Sequence, residues 1–333
     1  MTILTLGIET SCDETSAAVT SGRRVLSNIV TSSLHLHKKY GGVVPEIASR
    51  YHVEYIVEVA DRALKTAGKK MSDIKLVAVT NGPGLVGALL TGISFAKAIS
   101  YSRRIPLIGV NHVVAHLYSS FLGEGEAPKF PFVGLVVSGG HTALFYCKDV
   151  DHKKLLGQTQ DDAVGEAYDK VAKILGLGYP GGPVIERTAR MSNGSSGISF
   201  PKSYLGKDSL DFSFSGIKTA VLYYVRKPPV KSIPDVCYAF QEAALDAIVE
   251  KTVAACARKK SSSVVVGGGV TANKRLRDKL VEAGRFNGFK VFFPEFKYCL
   301  DNGAMIGVLG EELYRRGHRS DLYLNAEPNL KIC

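Results

Sequence analysis

His112 and His116, in Asn111-His112-Val113-Val114-Ala115-His116, stand four residues apart. On a helix that spacing puts two imidazoles on one face, with Cβ atoms about 5–6 Å apart. Two such rings make half of a transition-metal site, and the remaining ligand has to come from elsewhere in the chain. The flanking residues fit this geometry: 105–110 reads as a short buried strand, Asn111 as an N-cap, and the apolar run to Phe121 as the helix. Partial positive charge at a helix N-terminus disfavours imidazolium, so His112 is expected to be neutral and able to donate a lone pair to a metal. The plainer alternative is one surface histidine and one histidine satisfied in the core. The pair lacks the glutamate of His-Glu-x-x-His, so it is not the helix of a zinc protease.

Four further elements follow strand-like segments. In the turn Glu9-Thr10-Ser11-Cys12-Asp13-Glu14-Thr15-Ser16, Asp13 and Glu14 are candidates for a general base or for holding a cation; the bland reading is capping by solvated carboxylates. Asn81-Gly82-Pro83-Gly84-Leu85 joins strand to helix, as a phosphate-facing helix start or as a tight turn. Ser138-Gly139-Gly140-His141-Thr142 exposes backbone N–H groups and adds His141 as a third candidate base. In Val264 to Asn273, Gly267, Gly269 and Ala272 match the loose fingerprint G-x-G-x-x-G/A, but Glu295, the nearest acid after the next strand, comes too late for a dinucleotide's ribose. A nucleotide packed on these glycines and hydrogen-bonded by Asn273 explains the same residues. No Walker A sequence occurs, which excludes a P-loop ATPase. Asp301, alone before a helix, reads as an N-cap.

Strands at 3–8, 76–80, 105–110, 132–137, 142–147, 264–266 and 290–293 alternate with helices at 46–68, 86–101, 112–121, 162–176, 233–258, 273–284 and 302–316, which is an α/β pattern. The stretch 176–218 reads as long irregular structure of the kind that serves as a binding loop. A faint repeat, strand–turn–strand at 4–19 and again at 132–147, suggests two related lobes whose turns face a shared ligand. The length of 333 residues with 45% apolar content accommodates two cores. Lys and Arg outnumber Asp and Glu by 42 to 31, giving +11, which points to an anionic partner. Cys12, Cys147, Cys237, Cys256, Cys299 and Cys333 show no C-x-x-C spacing, no leader precedes the first strand, and no apolar run spans a membrane; a cytoplasmic protein is expected.

Taken in order, these elements resemble the family of tRNA N6-adenosine threonylcarbamoyltransferases, formerly described as O-sialoglycoprotein endopeptidases. The signatures are Ile8-Glu9-Thr10-Ser11-Cys12-Asp13-Glu14-Thr15, Asn81-Gly82-Pro83-Gly84-Leu85, His112 with His116, Val137-Ser138-Gly139-Gly140-His141-Thr142, Gly165-Glu166-Ala167-Tyr168-Asp169-Lys170, Tyr179-Pro180-Gly181-Gly182-Pro183, Phe212-Ser213-Phe214-Ser215-Gly216 and Asp301-Asn302. Tyr40-Gly41-Gly42-Val43-Val44-Pro45-Glu46 resembles the bacterial and organellar branch; Leu300 and Gly303 depart from the family's usual residues. The resemblance implies an actin/hexokinase-like α/β fold of two lobes around a nucleotide-binding cleft, 1–119 with 302–333 forming one lobe and 120–301 the other. It implies one divalent metal, iron(II) or alternatively zinc(II), on His112, His116 and Asp301. Val136, Val137, Ser138, Gly139, Gly140, Asp169, Gly182, Glu186 and Asn273 would contact threonylcarbamoyl-AMP. The implied reaction moves the threonylcarbamoyl group to N6 of adenosine 37 in tRNAs reading codons that begin with adenine, releasing AMP. A paralogous partner without the metal site and a small P-loop ATPase would assist, with no membrane involved. The rival readings are a sugar or acetate kinase of the same fold, which would not need His112, and a metalloprotease, which would need a base beside a metal-bound water.

Overall fold

Val/Ile/Leu-rich strands that are buried on both faces belong in the middle of sheets covered by helices, and two such sheets form here. The computed structural model describes residues 3–202, 205–206, 208–227 and 232–331. The chain divides into two units, Met1–Ala127 with Lys297–Cys333, and Pro128–Phe296. The first contains β1 (Leu4–Glu9), β2 (Glu14–Ser21), β3 (Arg24–Ser32), β4 (Leu76–Gly82) and β5 (Leu107–Asn111), in the order β3-β2-β1-β4-β5. Its helices are α1 (Leu34–His37), α2 (Pro45–Thr66), α3 (Val86–Arg103) and α4 (His112–Tyr118), joined by α10 (Gly303–Arg315) from the chain's end. The second unit contains β6 (Phe132–Val137), β7 (Thr142–Cys147), β8 (Lys153–Gln158), β9 (Ser263–Gly267) and β10 (Lys290–Phe292), in the order β10-β9-β6-β7-β8. Its helices are α5 (Val164–Ile174), α6 (Gly181–Ala189), α7 (Ser215–Val225), α8 (Ile233–Lys259) and α9 (Lys274–Asn287).

The repeat glimpsed as two hairpins therefore extends to the whole sheet. In each unit an antiparallel three-strand meander is followed by two parallel strands, so the carboxyl ends of β1, β4 and β5 share one edge, as do those of β6, β9 and β10. In open α/β sheets that edge is where ligands bind. Leu6, Ile8, Val77, Val79, Leu89 and Ile93 fill the first core; Val133, Leu135, Leu144, Tyr168, Phe214 and Phe240 belong to the second.

Helix α10 lies directly on β1. A Cβ on Gly7 would fall 2.1 Å from the Gly303 carbonyl oxygen and 2.5 Å from the Gly307 nitrogen. A Cβ on Gly303 would fall 2.7 Å from the Ala18 nitrogen, so glycine at this departure from the family pattern is what lets the helix start against the sheet.

The structure differs from the sequence reading in several places. Edge strands β3 and β8 carry polar residues among half-buried positions, which hides them from an apolar-run criterion. The segment 176–218 is not irregular throughout: α6 occupies 181–189 and α7 begins at 215, with residues 203, 204 and 207 outside the described set. Gly181-Gly182-Pro183 lowers helix propensity at the start of α6, where proline is in fact tolerated. Helix α4 ends at Tyr118 and continues as a 3-10 turn over Ser119–Phe121. The units divide at 127/128 and 296/297 where the sequence reading had 119/120 and 301/302, so Asp301 belongs with His112 and His116. Among the described residues no helix is long and apolar enough to cross a membrane.

Candidate metal centre

Parallel register builds the first site. Ile8 pairs with Val79 and Thr80 with Val110, so the next residues, Glu9 on β1 and Asn111 on β5, arrive at the same edge as Thr80. Asn111 caps α4, its Oδ1 accepting the Val114 N–H at 3.1 Å, and the helix presents His112 and His116 with ring centroids 4.7 Å apart. Asp301 comes from the other end of the chain. It is not the cap of α10 as expected: Asn302 is, accepting the Met305 N–H at 3.0 Å, which leaves Asp301 one residue outside the helix. Its Oδ1 lies 3.2 Å from His116 Nε2 and 3.7 Å from His112 Nε2.

These three residues fit a metal. Metal–ligand bonds of about 2.0–2.2 Å in tetrahedral geometry separate ligand atoms by roughly 3.3–3.6 Å, and the three ligand atoms here lie within 4.8 Å of one another. His116 is fully buried, yet neither ring nitrogen has a hydrogen bond; the 3.2 Å approach of Asp301 lacks hydrogen-bond geometry. A buried polar atom left so costs about 1–3 kcal/mol, and a cation at Nε2 removes that cost.

Behind the triad stands Glu9, to which the sequence reading gave no role of its own. It is wholly buried; Oε1 accepts the Ser11 N–H at 2.5 Å, and Oε2 accepts the Thr80 hydroxyl at 2.6 Å and faces His112 Nδ1 at 3.0 Å. Ser11 Oγ also lies 3.1 Å from that nitrogen. Carboxylate–histidine pairs of this kind fix the ring and its tautomer and leave Nε2 for the metal. Burial pushes the Glu9 carboxyl up, but attraction and hydrogen bonding to His112 hold it below the usual carboxylate range. Burial also disfavours a charged His112; Glu9 and Asp301 outweigh this and raise it to about 9. The expectation that a helix N-terminus keeps His112 neutral is thus overturned, because two nearby carboxylates act more strongly than the helix dipole. An acid ending a largely apolar strand-like segment was the only signal the sequence offered for Glu9.

Asp13 and Glu14 lie in the same unit. Burial, then Asp301 and Asp13, push the Glu14 carboxyl well above its ordinary range. Asp13 accepts the Ser32 hydroxyl at 3.5 Å.

The other predicted residues gather in the second unit. Val136 and Val137 end β6, and the Ser138-Gly139-Gly140-His141 turn closes with Ser138 N–H to His141 C=O at 2.8 Å and His141 N–H to Ser138 Oγ at 3.0 Å. Gly165 at the start of α5 donates its N–H to Ser138 C=O at 3.2 Å. Gly268, with φ of +97°, passes so close to β6 that a Cβ would sit 2.3 Å from the Val137 oxygen. Asp169 Oδ1 accepts the Gly181 N–H at 2.6 Å and so fixes the start of α6, where Gly182 has open space around it. Glu186 accepts the Lys274 N–H at 3.0 Å; Asn273 caps α9 at Leu276 N–H, 3.0 Å, and donates to Gln241 Oε1 at 2.9 Å. A cavity of about 310 Å³ is lined by Glu186, Tyr238, Gln241, Lys274 and Arg275. Gln241 was missed: a buried glutamine inside a long apolar helix carries no local signal.

Comparison with known proteins fixes the family. Residues 24–308 match the family model of tRNA N6-adenosine threonylcarbamoyltransferase, TsaD. The chain belongs to this family. The transferase of that name from Dictyoglomus turgidum is 49% identical over 335 residues, 99% of each chain, and the one from Clostridioides difficile is 48% identical over 99% of this chain and 98% of that protein. The protein is therefore a transferase of the threonylcarbamoyltransferase family with bacterial relatives, and neither the kinase nor the protease reading stands. Its fold is the actin/hexokinase-like α/β fold. Full-length HypF in a phosphate- and nucleotide-bound form superposes with a TM-score of 0.62 at 15% identity, over 94% of this chain and 55% of that one. ROK hexokinase from Thermus thermophilus gives 0.53 at 15% identity, over 95% and 100%.

Proposed function

We propose that this enzyme moves the threonylcarbamoyl group from threonylcarbamoyl-AMP to N6 of adenosine 37 in tRNAs that read codons beginning with adenine, yielding the modified adenosine and AMP. The observation that carries this reading is the His112–His116–Asp301 cluster, with His116 buried and lacking hydrogen bonds, in a chain of this family. An ion held by these residues, iron(II) or alternatively zinc(II), would supply Lewis acidity to the carbamoyl and phosphate end of the adenylate. Gly139 and Gly140, with the start of α6 at Gly182, offer N–H groups to phosphate, while Asp169, Glu186 and Asn273 hold the segments that receive the nucleotide. The attacking amine must lose a proton. Asp13 and Glu14 in the turn, or alternatively His141, are the candidates to accept it. The charge of +11 supports tRNA binding. The test is incorporation of labelled threonine and bicarbonate into unmodified tRNA by a system lacking only this protein. Failure of the wild-type chain to restore label would end the reading.

Metal uptake should expel a proton. With His112 raised to about 9 in the metal-free protein, the imidazolium loses its proton on ligation at neutral pH. Apparent affinity is then expected to rise about tenfold per pH unit and to level off above about pH 9. Calorimetric titration with zinc in buffers of different ionisation enthalpy counts the protons. Glu9→Gln should lower the release at pH 7 and, above about pH 9 where protons no longer compete, lower the metal affinity by about 10- to 100-fold; an unchanged proton count would contradict the pairing.

A paralogous partner and a small P-loop ATPase complete the proposed system. Support for the first comes from exposed apolar side chains on the packed helices α2 and α3, where Val53, Val57, Val86 and Leu90 are 67%, 63%, 55% and 43% exposed. Val57→Asp should weaken association with the partner at least about tenfold, measured by sedimentation, while metal content stays at the wild-type level.

A further inference from the structure

Two buried histidines outside the metal cluster hold the backbone of the acidic turn. His52, on α2, has no exposed surface; its Nε2 lies 2.9 Å from the Cys12 carbonyl and its Nδ1 2.7 Å from Thr15 Oγ1. A carbonyl only accepts, so Nε2 carries the proton and the Thr15 hydroxyl donates to Nδ1. His37, equally buried, accepts the Val44 N–H on Nδ1 at 3.3 Å, so its Nε2–H donates to Ser33 Oγ at 2.9 Å. Ser33 in turn gives its hydroxyl, at 3.1 Å, and its N–H, at 3.0 Å, to the Asp13 carbonyl. The Ser11 carbonyl, just before that of Cys12, accepts the Leu85 N–H at 2.8 Å. Three consecutive carbonyls, 11 to 13, are therefore gripped from three different segments. The turn's near end is tied to the metal cluster through Ser11 and Glu9, and its far end is tied to the two imidazoles.

We propose that His52 and the His37–Ser33 pair are positioning residues, which set the Asp13–Glu14 turn beside Asp301 for transfer and touch neither metal nor substrate themselves. An imidazole suits this task because it is planar and, with its second nitrogen engaged, presents its N–H in one direction only. Burial lowers the proton affinity of His52, which keeps it in the neutral form this arrangement needs. The 40–46 segment gains a purpose as well, since Val44 fixes the ring of His37.

The inference rests on the transferase reading, and the test separates the two. Steady-state transfer to unmodified tRNA is measured in the complete system with wild type, His52→Leu, His52→Gln and Ser33→Ala. His52→Leu keeps much of the volume without the donor and should lower kcat at least about tenfold, since a displacement of about 1 Å costs up to about a hundredfold. KM for tRNA and metal content should stay within about twofold of wild type, and His52→Gln, which retains an N–H for the Cys12 carbonyl, should recover most of kcat. Wild-type kcat in His52→Leu, metal lost in step with activity, or glutamine failing as badly as leucine would each overturn the positioning role. If His52→Leu does not fold, Ser33→Ala decides: it loses only a hydroxyl, and a kcat equal to wild type rejects the proposal, whereas a several-fold fall with metal retained supports it. A wild-type chain that makes no modified tRNA removes the transferase reading before any variant is compared.

Discussion

His116→Ala is expected to bind no metal and to lower threonylcarbamoyl transfer at least about a hundredfold, with the folded state little changed. His116 is fully buried but makes no hydrogen bond, so its removal breaks no polar network and leaves a small space in α4. In the metal-free protein, lost packing and the relief of an unsatisfied polar atom oppose one another, and the net cost should be no more than about 1–2 kcal/mol. His112→Ala should behave differently. That ring is the partner of wholly buried Glu9, and truncating it leaves a buried carboxylate facing a gap, which typically costs about 3–5 kcal/mol. Metal content by mass spectrometry, transfer rate and unfolding midpoint, compared for the two alanine variants, separate ligation from stability. A His116→Ala protein that retains both stoichiometric metal and activity would remove the triad from the mechanism.

The difference between these two histidines also marks how far the sequence could be read. Their spacing, the Asn111 cap and the start of α4 are local properties, and each is legible in six consecutive residues. Glu9 becomes a partner of His112 only because β1, β4 and β5 align in parallel, a register fixed by residues far apart in the chain. Asp301 is more distant still, and only resemblance placed it with the histidines; spacing alone read it as a cap that is in fact Asn302. The helix-dipole argument for a neutral His112 failed for the same reason: a local rule was outweighed by carboxylates that topology brings to within 3.0 and 3.7 Å. In the second unit the glycine-rich letters were readable as close approaches, whereas Gln241, which steadies Asn273, was not. His37, two residues from His35, and the lone His52 carry no shared pattern in the sequence, and their joint hold on one turn exists only in the fold.

Gly7→Ala is expected to destabilise the protein by about 3 kcal/mol and to weaken metal binding at the same time. The added Cβ would meet the Gly303 oxygen at 2.1 Å, the Gly307 nitrogen at 2.5 Å and the Gly307 Cα at 2.8 Å, all of them backbone atoms that no rotamer change can move. The only relief is to lift α10 away from β1. The start of that helix is the cap Asn302 with Asp301 just before it, so a shift sufficient for a methyl group carries the carboxylate out of the 3.2 and 3.7 Å spacing that suits a metal. Gly303→Ala produces the clash from the helix side, and combining the two should deepen the loss because neither makes room for the other. Gly216→Ala is the control: it lies in α7 with open space around it, and alanine there should be neutral or stabilising by up to about 1 kcal/mol. Denaturant unfolding of metal-free protein gives the stability difference, and titration with zinc gives the affinity. A Gly7→Ala protein within about 1 kcal/mol of wild type would mean that α10 yields without cost, and the packing of glycine on glycine would then not be what fixes Asp301.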